Sequence, residues 1–220
     1  YDATAQTYTL TFEQSNPAVG IELEQVNLHK PPLHIPVNIG LLEKANAANH
    51  QPDQPEHSIM LNLTQTQQSI TFEHVASQPI PSLNRGFGAP VEMHYDYSEA
   101  DLCTLLRHDA DAFNRWDAAQ QLFSRYVLSA MNAENKSDAP VHLDDALIET
   151  FEQILLDEQL SPSFRTQLLT LPSFGSLLQA VQQSGQLIDP QALFNAHQKT
   201  AIALAQSLSM QWIQTYAQLN

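Results

Sequence analysis

The sequence predicts an α+β chain with its two classes segregated: an antiparallel β-sandwich over residues 1–97, then an all-α, solenoid-like segment over residues 98–220. Three observations carry this. Apolar residues recur at every second position as far as Tyr97 and at every third or fourth after Ser98, the two spacings of a half-buried strand and an amphipathic helix. Prolines, not helical stretches, punctuate the first part: Pro52, Pro55, Pro79, Pro81 and Pro90 separate its apolar rows. A chain of 220 residues, 43 % hydrophobic and 15 % charged, is long and apolar enough for one or two cores and is not disordered.

Strand by strand, Tyr8, Leu10 and Phe12 alternate with Thr9, Thr11 and Glu13. Leu33, Ile35, Val37, Ile39 and Leu41 form the longest such row, and Pro36 inside it predicts an edge strand, because proline cannot donate to a ladder. Ile59-Leu61-Leu63 written at alternate positions, then Ile70 and Phe72, then Val91, Met93, Tyr95 and Tyr97, continue the pattern. Roughly six or seven short strands without an intervening helix is the pattern of an immunoglobulin-like antiparallel β-sandwich.

After Ser98 the helices announce their own starts. Ser98 with Asp101 is a near capping box ahead of Leu102, Leu105 and Leu106. Asp111 caps a longer helix in which Phe113, Trp116, Phe123, Val127 and Ala130 share a face, ending in the polar run from Asn132 to Pro140. Leu143, Leu147, Phe151, Ile154 and Leu155 mark a third. Ser161-Pro162 and Asp189-Pro190 each set an N-cap acceptor before a proline at the first helical position, where the missing N–H costs nothing. The last helix is expected to run from Pro190 towards Tyr216. No strict repeat is visible, although helical pairs of this size build solenoids without one.

Charge and composition exclude several functions. Nine Lys+Arg against 24 Asp+Glu give a formal charge of −15, which disfavours nucleic acid and anionic membranes as partners. Neither half is basic: residues 1–95 carry 9 acidic and 3 basic side chains, residues 96–220 carry 15 and 6. Asp144-Asp145 and Asp157-Glu158 read as solvated helix-terminal clusters. No stretch approaches the ~20 apolar residues of a membrane span. Cys103 alone permits no intrachain disulfide or Cys-rich zinc site and points to the core and to a cytoplasmic location. The opening Tyr1-Asp2-Ala3, without Met or a leader pattern, predicts a piece of a longer chain.

The chemistry-bearing motifs are missing. Six glycines include no G-x-G-x-x-G or P-loop frame. Nine histidines include no H-E-x-x-H pair; His29 and His34 flank Pro31-Pro32, His50 and His57 fall in a polar loop, and His94, His108, His142 and His197 stand apart, so zinc is not expected here. Asp109, Asp111 and Asn114 approach a calcium loop, but its sixth and twelfth positions are Asn114 and Gln120 where Gly and Glu are needed, which favours helix capping. Phe174-Gly175-Ser176 continues into Leu177, not into a nucleophile elbow. Cys103 and His108 lie on different helical faces. Trp116 and Trp212, at helical spacing beside Leu and Ala, are expected in the core. No catalytic, cofactor-binding or metal residue is therefore assigned.

Two stretches carry a resemblance. Ser77-Gln78-Pro79-Ile80-Pro81-Ser82-Leu83-Asn84-Arg85-Gly86-Phe87-Gly88-Ala89-Pro90-Val91 is similar to the closing strands of the central sandwich in the bacterial aminopeptidase N family of zinc-dependent alanyl aminopeptidases. Asp111-Ala112-Phe113-Asn114-Arg115-Trp116-Asp117-Ala118-Ala119-Gln120 resembles the opening of that family's C-terminal helical domain. Tyr8-Thr9-Leu10-Thr11, Pro32 to Val37 and Leu155-Leu156-Asp157-Glu158 fall where the family has similar runs, so the likeness covers essentially the whole chain.

The resemblance implies a non-catalytic segment after the catalytic domain, linking it to the helices that restrict access to the active site. Its partners would be that catalytic domain and the remaining C-terminal helices, with peptide substrates met only in the full enzyme. The parent would hold zinc and remove N-terminal amino acids through H-E-x-x-H and G-A-M-E-N motifs. This sequence has neither; Gly88-Ala89-Pro90-Val91-Glu92-Met93 is not the second, and no family site residue transfers onto it. The loop Lys44 to Glu56 matches nothing in the family, and Leu204, Leu208 and Trp212 are expected to be partly exposed, offering a face for self-association. The rival reading is a stand-alone sandwich and helix module that binds or scaffolds a partner without a peptidase parent.

Overall fold

The computed structural model describes residues 1–24, 30–43, 57–134, 141–183 and 189–219. The loop Lys44 to Glu56, His29 and His50 lie outside the described residues. Two compact units are present: Tyr1–Tyr95 with His108–Asn114, and Asp96–Arg107 with Arg115–Asn220.

The first unit is built on two antiparallel sheets. In one, β1 (Tyr8–Glu13) pairs with β4 (Gln67–Phe72), Tyr8 opposite Phe72 and Glu13 opposite Gln67. In the other, β2 (Ile35–Glu43) lies between β3 (His57–Leu63) and β5 (Pro79–Leu83). Alternation does what the sequence requires. Leu10 and Phe12 of β1, Val37 and Ile39 of β2, Leu61 of β3 and Phe72 of β4 join one core. The opposite face of β1 is solvated and laced by hydroxyl pairs, Thr9 to Thr71 at 2.9 Å and Thr11 to Ser69 at 2.8 Å.

Three strand expectations change. β2 is the central strand of its sheet, not an edge. Pro36 is tolerated because β5 ends with Leu83 opposite Ile39, so at Pro36 the strand has β3 alone as neighbour. Pro79 and Pro81, read as punctuation, sit inside β5. Their spacing of two turns both missing donors to the same edge, and β5 is an edge strand with β2 on its other side. Val91 to Tyr97 is not a strand, although Val91 and Met93 are half-buried and Met93 packs on the core. Alternation reports burial, and burial does not require a ladder.

The second unit is helical. Its elements are α1 (Glu99–His108), α2 (Ala112–Glu134), α3 (Asp145–Leu156), α4 (Pro162–Leu168), α5 (Phe174–Gln183), α6 (Pro190–Ser207) and α7 (Ser209–Leu219), the ends of α1 and α2 nearest the 108–114 turn belonging to the first unit. The capping box at Ser98 forms in both directions, Asp101 N–H to Ser98 Oγ at 3.1 Å and Ser98 N–H to Asp101 Oδ2 at 3.2 Å. Ser161 and Asp189 cap α4 and α6 as expected. Leu147, Phe151, Ile154 and Leu155 bury one stripe of α3, and Phe151 stacks on Phe123 of α2 with ring centroids 4.6 Å apart, a contact worth about 0.5–1.5 kcal/mol beyond the area it buries.

The final helix is two. The axis turns at Leu208, between Ser207 and Ser209, while the N–H of Leu208 still bonds the Leu204 carbonyl and that of Trp212 the Leu208 carbonyl. Leu208 itself leaves helical geometry, φ −104° and ψ 17°, while the hydrogen-bond ladder runs on through it. Leu204 and Leu208 are 4 % and 0 % exposed, contrary to expectation, whereas Trp212 is exposed as that expectation had it, along with Phe194, Ile202, Met210, Ile213 and Tyr216. Trp116 and Trp212 are each 38 % exposed and are not core residues.

Candidate functional site

In the first unit the two stretches singled out in the sequence, around Ser82–Ala89 and Asp109–Asn114, come together. Asn84 takes a left-handed backbone, φ 52°, which asparagine tolerates. Its side chain closes the turn by donating to the Ala89 carbonyl at 2.8 Å and accepting from the Ala89 N–H at 3.0 Å. This holds Arg85 inward across β2, where a Cβ on Gly40 would meet Arg85 Nη1 at 2.8 Å. Arg85 Nη2 then donates to Asp109 Oδ1 at 2.7 Å, with both side chains buried.

The rest of the turn is drawn in by the same segment. Gly86, also at positive φ, donates its N–H to Asp111 Oδ2 at 2.8 Å. Asp111 Oδ1 accepts from Asn114 N–H at 2.9 Å, which is the expected cap of α2. Asn114 Nδ2 donates to Ser82 Oγ at 2.6 Å, and the rings of Phe87 and Phe113 lie 4.9 Å apart. Asp109, Asp111 and Asn114 thus cap and clamp, as the capping reading expects. The cluster ties a cation and an anion into the turn, with Arg85 Nε and Asp109 Oδ2 left buried and without a hydrogen-bond partner.

The second unit holds two polar arrangements. Tyr126 Oη of α2 lies 2.5 Å from Glu99 Oε1 and 2.9 Å from Asp144 Oδ2. Asp144 occupies the N-cap of α3, yet its side chain caps no backbone N–H. Burial, then the two carboxylates, push the Tyr126 phenol up, which removes it as a general base. The other arrangement is a cavity of about 200 Å³ between the end of α3, α4 and α7. Leu155, Pro162, Arg165, Thr166 and Leu169 line it on one side and Trp212, Thr215 and Tyr216 of α7 on the other. Arg165 and Thr215 were missed in the sequence; the available signal was a lone arginine three residues before Leu168 on a short apolar helix face.

The first unit also has an open groove of about 730 Å³ between β1 and Pro90–Tyr95. Among the described residues the histidines do not converge. His34 Nε2 pairs with Asn62 Oδ1 at 3.1 Å, His197 Nε2 lies 3.2 Å from the Pro172 carbonyl, and His94 is exposed 4.0 Å from Glu92. Among the described residues no group of three or more His, Cys, Asp or Glu could hold a metal ion. Cys103 is buried, and that burial pushes its thiol up. Among the described residues no helix is long and apolar enough to cross a membrane.

Comparison with known proteins places both halves. Residues 1–96 match the domain of unknown function DUF3458, described as an Ig-like fold, and residues 99–220 match DUF3458_C, described as ARM repeats. The chain is 33 % identical over 218 residues to Aminopeptidase N of Escherichia coli, 98 % of this chain and 24 % of that protein. It is 29 % identical to Aminopeptidase N of Haemophilus influenzae over 100 % of this chain and 24 % of that one. A crystal structure of Legionella pneumophila aminopeptidase A in complex with aspartic acid superposes with a TM-score of 0.73 at 27 % identity, over 97 % of this chain and 22 % of its own. The chain therefore spans about a quarter of the length of the relatives it matches.

Proposed function

We propose, for a chain that belongs to the DUF3458_C family of ARM repeats, that it is the non-catalytic scaffold of a zinc aminopeptidase. In this reading the sandwich links a catalytic domain to helices that limit which peptides reach the active site. One observation carries it: the likeness to Aminopeptidase N runs through 98 % of the chain yet takes in only 24 % of that protein, and neither an H-E-x-x-H nor a G-A-M-E-N motif occurs in the sequence.

The zinc of the parent would be held outside these residues. Nothing described in the chain fits it, since no three potential ligands converge, and no chemical step is routed through this segment. Its own residues supply rigidity. The Asn84 turn and the Arg85–Asp109 pair fix the exit of the sandwich, and the capped helices supply a stackable surface. Its partners are the catalytic domain and further helices of the parent, peptide substrates are met only there, and the location is cytoplasmic.

The test is the full reading frame that contains Tyr1–Asn220. Its product is expected to carry H-E-x-x-H before Tyr1 and to release alanine from an alanyl chromogenic substrate in a zinc-dependent way. A frame without that motif, whose product releases nothing, favours the stand-alone binding module instead.

A further inference from the structure

We propose that the open edge of β1 takes up an extended peptide segment as an added strand, one that alternates apolar and cationic side chains. Among the described residues β1 has β4 as its strand neighbour on one side and no strand on the other. The phase of the ladder says which backbone groups face that open side. Gln14 N–H bonds the Thr66 carbonyl at 2.9 Å, which makes the even-numbered residues of β1 the hydrogen-bonded partners of β4. The hydroxyl pairs Thr9–Thr71 and Thr11–Ser69, at 2.9 Å and 2.8 Å, mark the closer, non-bonded positions between them. The N–H and C=O of Thr9, Thr11 and Glu13 therefore point away from β4, and all three residues are exposed. The edge has defined ends: Asp2 bridges Thr7 before it, and the Gln14 side chain clamps the Leu33 backbone after it, at 2.8 Å and 2.9 Å.

This edge lies in the groove of about 730 Å³, which every residue from Tyr8 to Ser15 lines, side chains of both strand faces alike. A groove lined by consecutive residues runs along the edge of a strand and not over one of its faces. Its other bank, Pro90–Tyr95, is not laddered. Unpaired edge groups are the template for strand addition, in which main-chain bonds hold the guest and side chains choose it. The choice follows from the lining. Apolar side chains suit the places where the half-buried Ile35, Val91 and Met93 line the groove. The carboxylates of the lining are Glu13 and Glu92, no lysine or arginine lines it, and the chain carries a net charge of −15. A cationic residue opposite Glu13 is therefore favoured. A second copy of β1 would bring its own Glu13 to this acidic rim, which disfavours it as the guest.

The probe is a short blocked peptide of alternating lysine and valine, titrated into the chain and read by amide hydrogen exchange and by the fluorescence anisotropy of a labelled copy. Binding is expected to saturate and to slow exchange at Thr9, Thr11 and Glu13, whereas Leu10 and Phe12, already bonded to β4, are slow with and without it. Glutamate in place of its lysines, or full N-methylation, should leave no saturable binding. Thr11→Pro removes one donor on the open side and spares the β4 ladder, so it should weaken binding about threefold to tenfold. Glu13→Gln should weaken it about twofold to fivefold. Should the proline variant fail to fold, the Gln variant and the N-methylated peptide decide. Absence of saturation, equal binding of either control peptide, undiminished binding to a folded variant, or unchanged exchange at the three residues overturns the assignment. So does slow exchange there before peptide is added, which gives the edge to Val91–Tyr95 if it is independent of protein concentration and to a second copy if it is not. No reading of peptidase activity enters, so failure leaves the scaffold function standing.

Discussion

Arg85 and Asp109 meet across 24 residues of sequence as a buried ion pair, Nη2 to Oδ1 at 2.7 Å, inside the first unit. Asp109 Oδ1 also accepts the Asp111 N–H at 2.8 Å, so one oxygen serves both a charge and a turn. Removing either partner strands the other charge. Asp109→Asn or Arg85→Met should each lower stability by about 3–5 kcal/mol, and a combined apolar replacement should recover much of that loss. Urea unfolding of the single and double variants checks this; single variants within about 1 kcal/mol of the parent would mean the pair is incidental.

Gly40 is the floor beneath that pair. A methyl group there would sit 2.8 Å from Arg85 Nη1 and 2.9 Å from its Cζ. Gly40→Ala should cost about 1–3 kcal/mol through overpacking. The same substitution made on Arg85→Met should cost clearly less, because the obstructing guanidinium is gone, and the non-additivity is read from the double-mutant cycle.

Asp117 predicts a pH dependence. Burial pushes its carboxyl up from the ordinary value of 3.8, against the opposing pull of the Gln121 Nε2 donor at 2.8 Å. The folded state therefore holds this proton more tightly than the unfolded chain, and stability falls as the pH rises from 3.8 through the raised value. Asp117→Asn keeps an acceptor for Gln121 and should be more stable than the parent at neutral pH, with the advantage vanishing in acid. Parallel stability-versus-pH curves for the two proteins would contradict this.

The helix caps should rank by their hydrogen bonds. Asp189 Oδ1 accepts from two backbone N–H groups, those of Gln191 and Ala192, each at 3.0 Å, whereas Ser161 Oγ accepts one backbone N–H, that of Phe164 at 3.3 Å, beside a hydroxyl contact to Ser163 Oγ at 3.2 Å. Asp189→Ala should cost more than Ser161→Ala, within the ~0.5–2 kcal/mol typical of lost caps. Thermal unfolding of the two variants settles the order.

Cys103 should be inert while the chain is folded. It is buried, and burial raises its thiol pKa, so little thiolate is available at neutral pH. Iodoacetamide labelling should be slow in buffer and fast in urea; equal rates would show that the helix around Cys103 opens freely.

Much of the fold was legible because local chemistry and tertiary placement agree. The Ser98, Asp111, Ser161 and Asp189 caps are read from two or three adjacent residues, and each forms. What failed needed a neighbour to interpret. Pro36 signals an edge only where both sides of a strand would otherwise pair, and β5 stops short of it. Val91 to Tyr97 carries a strand's alternation yet lies beside the core without joining a ladder. The break between α6 and α7 lies in the dihedrals of one residue, Leu208, which an apolar periodicity carried on through Leu204 and Leu208 does not encode.

The polar sites divide in the same way. Asp109, Asp111 and Asn114 were legible as caps, but their convergence on Ser82, Arg85 and Gly86 depends on a left-handed Asn84. Arg165 and Thr215 lie 50 positions apart in sequence and share a cavity only because α7 folds back on α3. No local motif marks such a pair.

The central claim is that these residues give form to a peptidase without supplying its reaction. Purified Tyr1–Asn220, incubated with zinc and an alanyl chromogenic substrate, tests it most directly. The expected result is release at the uncatalysed rate, unchanged by a chelator. Saturable turnover that the chelator abolishes and fresh zinc restores would contradict it.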